Sequence, residues 1–355
     1  MTPSGTTVAI TGCSGYVATR LIERLAADDS IGRIIGFDVR PPRTPHPKLV
    51  FDEVDVRSPG LAARLEGVDC LVHLAFVMDA TRDEDAMRDV NVNGSQNVFK
   101  SAGRAGVPRV VYTSSAVVYG AHPDNDVPLT EDSPLRANLD FSYAAHKLEV
   151  EYVLREFAGE FPDAHLVVFR PAVVFGPGAD NTWSHLLEQP VLFGVSGHAP
   201  PLQVVHEDDV ARALQWAIAT EVSGTFNLAA EGWLEAEDAL AIAGKRVRFL
   251  PEPLAFALAE RLWGLGLSEV PAGYLHYGMH PWVLSAEKLA AAGFSPARGN
   301  EETLRETVEA VRPHVRIGTT RVRRGDIRRG AVAGLGLAGA AGVALALRGR
   351  RKPAA

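Results

Sequence analysis

Tyr143 and Lys147 stand four residues apart in Tyr143-Ala144-Ala145-His146-Lys147, and Ser115 lies earlier, in Thr113-Ser114-Ser115-Ala116-Val117-Val118-Tyr119-Gly120. On a helix, positions i and i+4 share one face, so an ammonium can lie beneath a phenol. A positive charge there favours the phenolate, bringing a group whose ordinary pKa is about 10 into acid/base work near neutrality. Ser115, closing a buried strand, supplies a second hydrogen bond to the reacting oxygen. The chemistry open to such a set is proton exchange with a hydroxyl or carbonyl group. A Tyr-x-x-x-Lys spacing is common by chance, and its meaning here comes from lying downstream of a nucleotide-binding signature.

That signature opens the chain. Thr6 to Thr11 reads as a strand, Gly12-Cys13-Ser14-Gly15-Tyr16-Val17-Ala18 as a tight turn, and Thr19 to Ala27 as the helix it launches. Gly12 permits the turn, Gly15 lets backbone N–H groups approach a pyrophosphate, and the helix N-terminus adds favourable partial charge. Gly12, Ser14, Gly15, Tyr16 and Val17 are therefore candidate cofactor-binding residues. Arg33 to Asp38 is a second strand, ending in an acid that can accept both ribose hydroxyls of an adenosine. Asp38 would repel a 2′-phosphate, so NAD is favoured over NADP, a preference moderated by Arg40 and Arg43.

Further elements alternate as a doubly wound parallel sheet requires. Val50 to Val56, Val68 to Ala75, Arg109 to Ser114 and Ala164 to Arg170 read as strands; Asp83 to Ala105, Phe141 to Gly159 and Glu207 to Thr220 read as helices. The predicted fold is α/β: a Rossmann-type sheet with a small, mostly helical C-terminal lobe. Residues 1–178 form the dinucleotide-binding core, to which 203–230 returns, and 179–313 form the substrate lobe with a late helix at Leu284 to Pro296. Trp183, Trp216, Trp263 and Trp282 could line an apolar pocket, with core packing as the default, and His73 and His206 are assigned to satisfied strand-end positions.

Together the stretches Thr11 to Tyr16, Asp55-Val56, His73-Leu74-Ala75, Asn91-Val92-Asn93-Gly94, Thr113 to Gly120, Tyr143 to Lys147, Arg170-Pro171 through Gly176-Pro177-Gly178, His206 to Val210 and Gly224-Thr225-Phe226-Asn227 resemble the extended short-chain dehydrogenase/reductases of the NAD-dependent epimerase/dehydratase family. The resemblance implies a catalytic group of Ser115, Tyr143 and Lys147, with Asn91 on the nicotinamide side. It places Asp55 and Val56 near the adenine, Leu74 and Ala75 along the cofactor, and Pro171 to Val173 beside the nicotinamide. It also implies a homodimer built on the helices Asp83 to Ala105 and Phe141 to Gly159.

Three departures from the family pattern narrow the chemistry. Ala116-Val117 stand where dehydratases carry an Asp-Glu pair, so dehydration is not expected. Val173 and Leu202 stand where nucleotide-sugar enzymes often carry an Asn and a diphosphate-binding Arg, which implies a less polar substrate pocket. The resulting expectation is an NAD-dependent oxidoreductase acting on a small-molecule secondary alcohol or ketone, in the manner of hydroxysteroid-dehydrogenase relatives. A nucleotide-sugar 4-epimerase and a noncatalytic NAD-binding scaffold remain as alternatives.

Composition agrees with an enzyme of this kind. A chain of 355 residues, 46% hydrophobic, can bury a large core. Two cysteines give no disulfide framework, which with no evident signal peptide implies a cytoplasmic setting. Eleven histidines lack metal-ligand spacing, so no metal is expected, and the acidic body gives no reason to expect nucleic acid. Charge is unevenly spread: seven Arg against one Asp in 312–330 and four cations in 348–352 give +10 there, leaving −17 for the rest of a chain whose net charge is −7. Between them Ala331 to Leu347 carries no charge, so the tail 314–355 reads as membrane-associated or as a loose Ala/Gly-rich extension.

Overall fold

Apolar runs buried on both faces pair here into one parallel sheet. The computed structural model describes residues 5–78, 81–317 and 319–328. Its first eleven strands are β1 (Thr6–Thr11), β2 (Ile31–Asp38), β3 (Leu49–Glu53), β4 (Cys70–His73), β5 (Arg109–Thr113), β6 (His165–Pro171), β7 (Val173–Phe175), β8 (Leu192–Val195), β9 (Val204–His206), β10 (Gly224–Leu228) and β11 (Val247–Leu250). Seven of them form a parallel sheet in the order β10-β6-β5-β4-β1-β2-β3. The order reverses between β1 and β4, the point at which doubly wound sheets open a crevice at their carboxyl ends.

Both faces of the sheet are covered. Val8, Ile10, Val72, Val111 and Phe169 pack on Leu21, Leu25, Val210 and Leu214, while Ala9, Phe37, Leu71, Val110 and Tyr112 pack on Val98, Phe99, Val150 and Leu154. Alternate residues of one strand thus enter opposite cores, which is why the strands read as continuous apolar runs.

Several boundaries differ from the expected ones for local reasons. The first helix is Tyr16–Ala26, starting three residues before Thr19, because Gly15 in extended conformation already serves as its N-cap. The expected continuous helix from Asp83 is interrupted: Glu84–Arg88 and Gly94–Arg104 flank a π-helical turn at Asp89–Asn93 that contains Asn91. Such a bulge re-aims the side chains within it. The late helix shrinks to Glu287–Ala291.

The chain leaves the main sheet after β6. β7 pairs with β9 and β8 with β11, both parallel, and the helices Thr182–Glu188, Ala236–Ala243, Glu252–Gly264 and Asn300–Val311 surround them. Buried Gln203 ties this lobe together, donating to the carbonyls of Ala230, Gly232 and Leu284 and accepting from the Leu284 amide. No described helix is long and apolar enough to cross a membrane, and the apolar tail segment 331–347 lies outside the described residues.

The turn after β1 depends on Gly12, whose φ is +70° and whose added Cβ would lie 2.6 Å from the Ala75 amide nitrogen. Gly12→Ala is expected to lose about 1–3 kcal/mol of stability, the scale of a strained backbone position. Urea unfolding checks it; an unchanged midpoint would mean that the turn relaxes freely.

Candidate active site

A cleft of about 440 Å³ opens where the sheet order reverses. Gly12, Ser14, Gly15, Tyr16 and Val17 line one end, Ser115, Tyr143, Lys147, Pro171 and Val173 the middle, and Trp183, Tyr274 and Trp282 the far end. Leu74 also lines it. Residues dispersed over most of the chain therefore converge on one space.

The helix Ser142–Glu160 carries Tyr143, Lys147 and Glu151 at i, i+4 and i+8, on one face. Glu151 is buried and forms a two-pronged ion pair with Arg170 of β6, at 2.8 and 2.5 Å. Ser114 Oγ donates to the same carboxylate at 2.6 Å, tying in the end of β5. Arg170 also donates to the Tyr119 hydroxyl, which in turn donates to Asn227 of β10. This network sets the helix against the strand end that bears Ser115.

Burial pushes the Tyr143 phenol up to about 12, with the nearby Ser115 hydroxyl acting in the opposite sense; both side chains line the cleft. Lys147 does not hydrogen-bond to Tyr143, contrary to the simplest reading of their spacing. Its ammonium donates to the Thr113 carbonyl at 2.8 Å and the Tyr112 hydroxyl at 3.3 Å, and lies 3.7 Å from the centre of the Phe76 ring. The ammonium is 5.9 Å from the centre of the Tyr143 ring. Burial pulls Lys147 down to about 7, with Glu151 acting in the opposite sense.

Other expected site residues fall around the cleft, outside its lining. Asn91 is fully buried; its side chain accepts from the Val77 amide and donates to the Val77 carbonyl, pinning the segment Phe76–Met78 that does form a wall. The Ala75 amide donates to Thr11 Oγ1. Asp55 is engaged by Arg57, and Val56 is buried against Gly94. Asp38 sits at the end of β2, its carboxylate accepting from the Ser14 and Arg40 amides. His73 is held between Thr11 and Ser95, and burial keeps it neutral, at about 3.

Sequence reasoning missed Phe76 and Tyr274. Trp183 and Trp282 do both things open to them: they pack against the buried clusters and line the cleft, 5.6 Å apart between ring centres. Phe76 is signalled only by its place just past the end of β4. Asn181 donates to the Tyr16 hydroxyl at 3.4 Å, and Asp180 pairs with Arg43 at 3.7 Å, so two contacts reach across from the lobe to the glycine-turn side.

The residues fit a dinucleotide. No side chain caps the helix Tyr16–Ala26, leaving its first amides for a pyrophosphate, and the turn has no room for a side chain at Gly12. Asp38 stands at the end of β2, where a ribose would be read; of the two cations beside it, Arg43 is paired with Asp180 and Arg40 lines the cleft.

Comparisons with known proteins agree with this geometry. Residues 8–229 match the NAD dependent epimerase/dehydratase family. An uncharacterized protein of Mycobacterium tuberculosis is 32% identical over 247 residues; the match covers 67% of this chain and 66% of the relative, just under two thirds of its length. The N-acetyl-alpha-D-glucosaminyl-diphospho-ditrans,octacis-undecaprenol 4-epimerase of Escherichia coli O157:H7 is 31% identical over 189 residues, 51% of this chain and 53% of that one. Among solved structures, the UDP-glucose 4-epimerase of Thermus thermophilus in complex with NAD superposes with a TM-score of 0.67 at 22% identity, covering 86% of this chain and 99% of that one, a likeness of fold.

Two outcomes test the site's electrostatics. Arg170→Leu leaves Glu151 buried without its partner and is expected to cost about 3–5 kcal/mol in urea unfolding; a loss below about 1 kcal/mol would show the pair to be dispensable. Lys147 binds its proton more weakly in the folded chain, near 7, than in the unfolded chain, at about 10.4. Between those values the unfolded state holds the extra proton, so stability is expected to rise as pH increases from about 7 to about 10. Lys147→Met should flatten that rise; equal slopes for the two proteins would contradict the assignment.

Proposed function

The chain belongs to the NAD-dependent epimerase/dehydratase family, and we propose that it moves hydride between NAD and a carbon bearing a secondary hydroxyl or ketone, with net oxidation or reduction. The observation that carries this reading is the convergence of Ser115, Tyr143 and Lys147 on one cleft, with Tyr143 and Lys147 on the same helix face. Bound NAD supplies the hydride acceptor, or in reduced form the donor. The alcohol thereby becomes a ketone, losing hydride from carbon and a proton from oxygen.

The chain's own residues do the rest. The uncapped first amides of the helix, at Tyr16 and Val17, receive the pyrophosphate, and Asp38 reads the ribose. Ser115 Oγ holds the substrate oxygen in place, and the Tyr143 hydroxyl gives or takes its proton. With the phenol held near 12, Tyr143 is protonated at neutral pH and ready to donate to a ketone oxygen. In the oxidative direction the phenolate needs a nearby cation, which Lys147 supplies when protonated. Asn91 acts as a positioning residue through the Val77 segment.

A second reading, 4-epimerisation of a diphosphate-linked sugar, draws on the 31% identical relative from Escherichia coli. It requires a seat for a diphosphate, and Val173 and Leu202 stand at the two places where such a ligand would be held. A noncatalytic scaffold is the third reading. NADH accumulation with a panel of secondary alcohols distinguishes the first, whereas epimerisation inverts its product without net NADH. Tyr143→Phe is expected to cut turnover about 10²–10⁴-fold, the usual contribution of a positioned acid/base, with NAD binding retained in calorimetry. Unchanged turnover in that variant would remove Tyr143 from the mechanism.

A further inference from the structure

A second cavity of about 250 Å³ opens off the cleft, and the two share Ala172, Trp183 and Trp282 in their linings. The indoles, inclined at 30°, form a partition between the reacting centre and the lobe interior. Beyond them the walls are aliphatic and aromatic: Leu192, Leu202, Leu240, Val247 and Val283 contribute, and no Lys, Arg, Asp or Glu lines the space among the described residues. Its polar side chains are already engaged with the protein backbone. Gln203 bonds to three carbonyls and an amide, Tyr277 donates to the Val117 carbonyl, and His198 meets the Met279 carbonyl. Phe193 and Phe249, exposed to 62% and 54%, carry the apolar surface outward from the cavity.

We infer that this cavity seats a hydrocarbon portion of the substrate, so that the compound is a secondary alcohol or ketone whose reacting carbon lies at Tyr143 and whose apolar group passes Trp183 and Trp282. A diphosphate placed there would surrender its hydration without meeting a cation, whereas apolar surface gains by leaving water. Size agrees: a dry cavity of about 150 Å³ accepts benzene, so this one has room for a group larger than one ring. The identity of the reacting carbon rests on the hydride-transfer reading; the chemistry of the seat does not.

The test uses the full chain saturated with NAD and a series of methyl ketones from butanone to decan-2-one, a pairing that cannot turn over. The change in tryptophan fluorescence, to which Trp183 and Trp282 in the cavity wall contribute among the five tryptophans of the chain, reports binding. The dissociation constant is expected to fall about fourfold for each methylene buried, then level off when the cavity is full. Ala236→Phe, which narrows the space, should bring the plateau to shorter ketones, and Leu240→Ala should move it to longer ones. A constant flat along the series, plateaus unmoved in both folded variants, or tighter binding of UDP than of every ketone would overturn the inference. Turnover of the same ketones with NADH is read separately. Affinity that grows with chain length without any turnover supports the apolar seat and defeats the hydride-transfer reading, while turnover of short ketones with no gain in affinity along the series does the reverse.

Discussion

The site is organised by one buried ion pair, Glu151 with Arg170. Burying two charges is costly, and such a pair is sustained only when its remaining hydrogen-bonding capacity is met. Here Ser114 and Tyr119 meet it. The pair joins a helix to two neighbouring strands of the sheet, and Lys147 and Tyr143 lie one and two turns upstream on the same helix face. Their placement opposite Ser115 thus follows from a rigid bidentate contact, the kind of support that catalytic geometry requires.

The same burial sets the protonic character of the cleft. Removing water raises the Tyr143 phenol and lowers the Lys147 ammonium, so desolvation pushes both groups toward neutrality. Any charge entering this space acts through a low dielectric and is felt strongly by both. Along its length the cleft changes from the glycine turn and the uncapped helix start to indole and tyrosine rings at the lobe. That gradient suits a ligand pair of which one member is an anionic dinucleotide and the other is largely apolar.

Much of this was legible in the sequence because it is encoded locally. Gly12, Gly15 and Asp38 belong to one strand-turn-helix-strand unit, and Tyr143 and Lys147 are related by helical spacing alone. The direction of the Lys147 ammonium was not legible: spacing places two residues on a face, but the Thr113 carbonyl and the Phe76 ring, from distant segments, decide where the ammonium points. Asn91 was located without its orientation, since a π turn rather than a regular helix presents it. For Trp183 and Trp282 the sequence left pocket lining and core packing both open, because an indole in a core and one lining a cleft look alike until the lobe has closed over the sheet.

The strand β10 lies beside β6 in the sheet, yet 52 residues of intervening chain, Ala172 to Ser223, separate the end of one from the start of the other. Most of the substrate side of the cleft is built from that excursion and from segments still later. During synthesis, then, the sheet cannot acquire its last strand until the ribosome has released residue 228, and the β6 edge stays unpaired meanwhile. Long-range parallel pairing of this sort is intrinsically slow and leaves an open edge prone to the wrong neighbours. The architecture that lets one chain wall a dinucleotide and a second ligand together therefore makes its maturation a late, all-at-once event, in which the chemistry becomes available only when the final edge is closed.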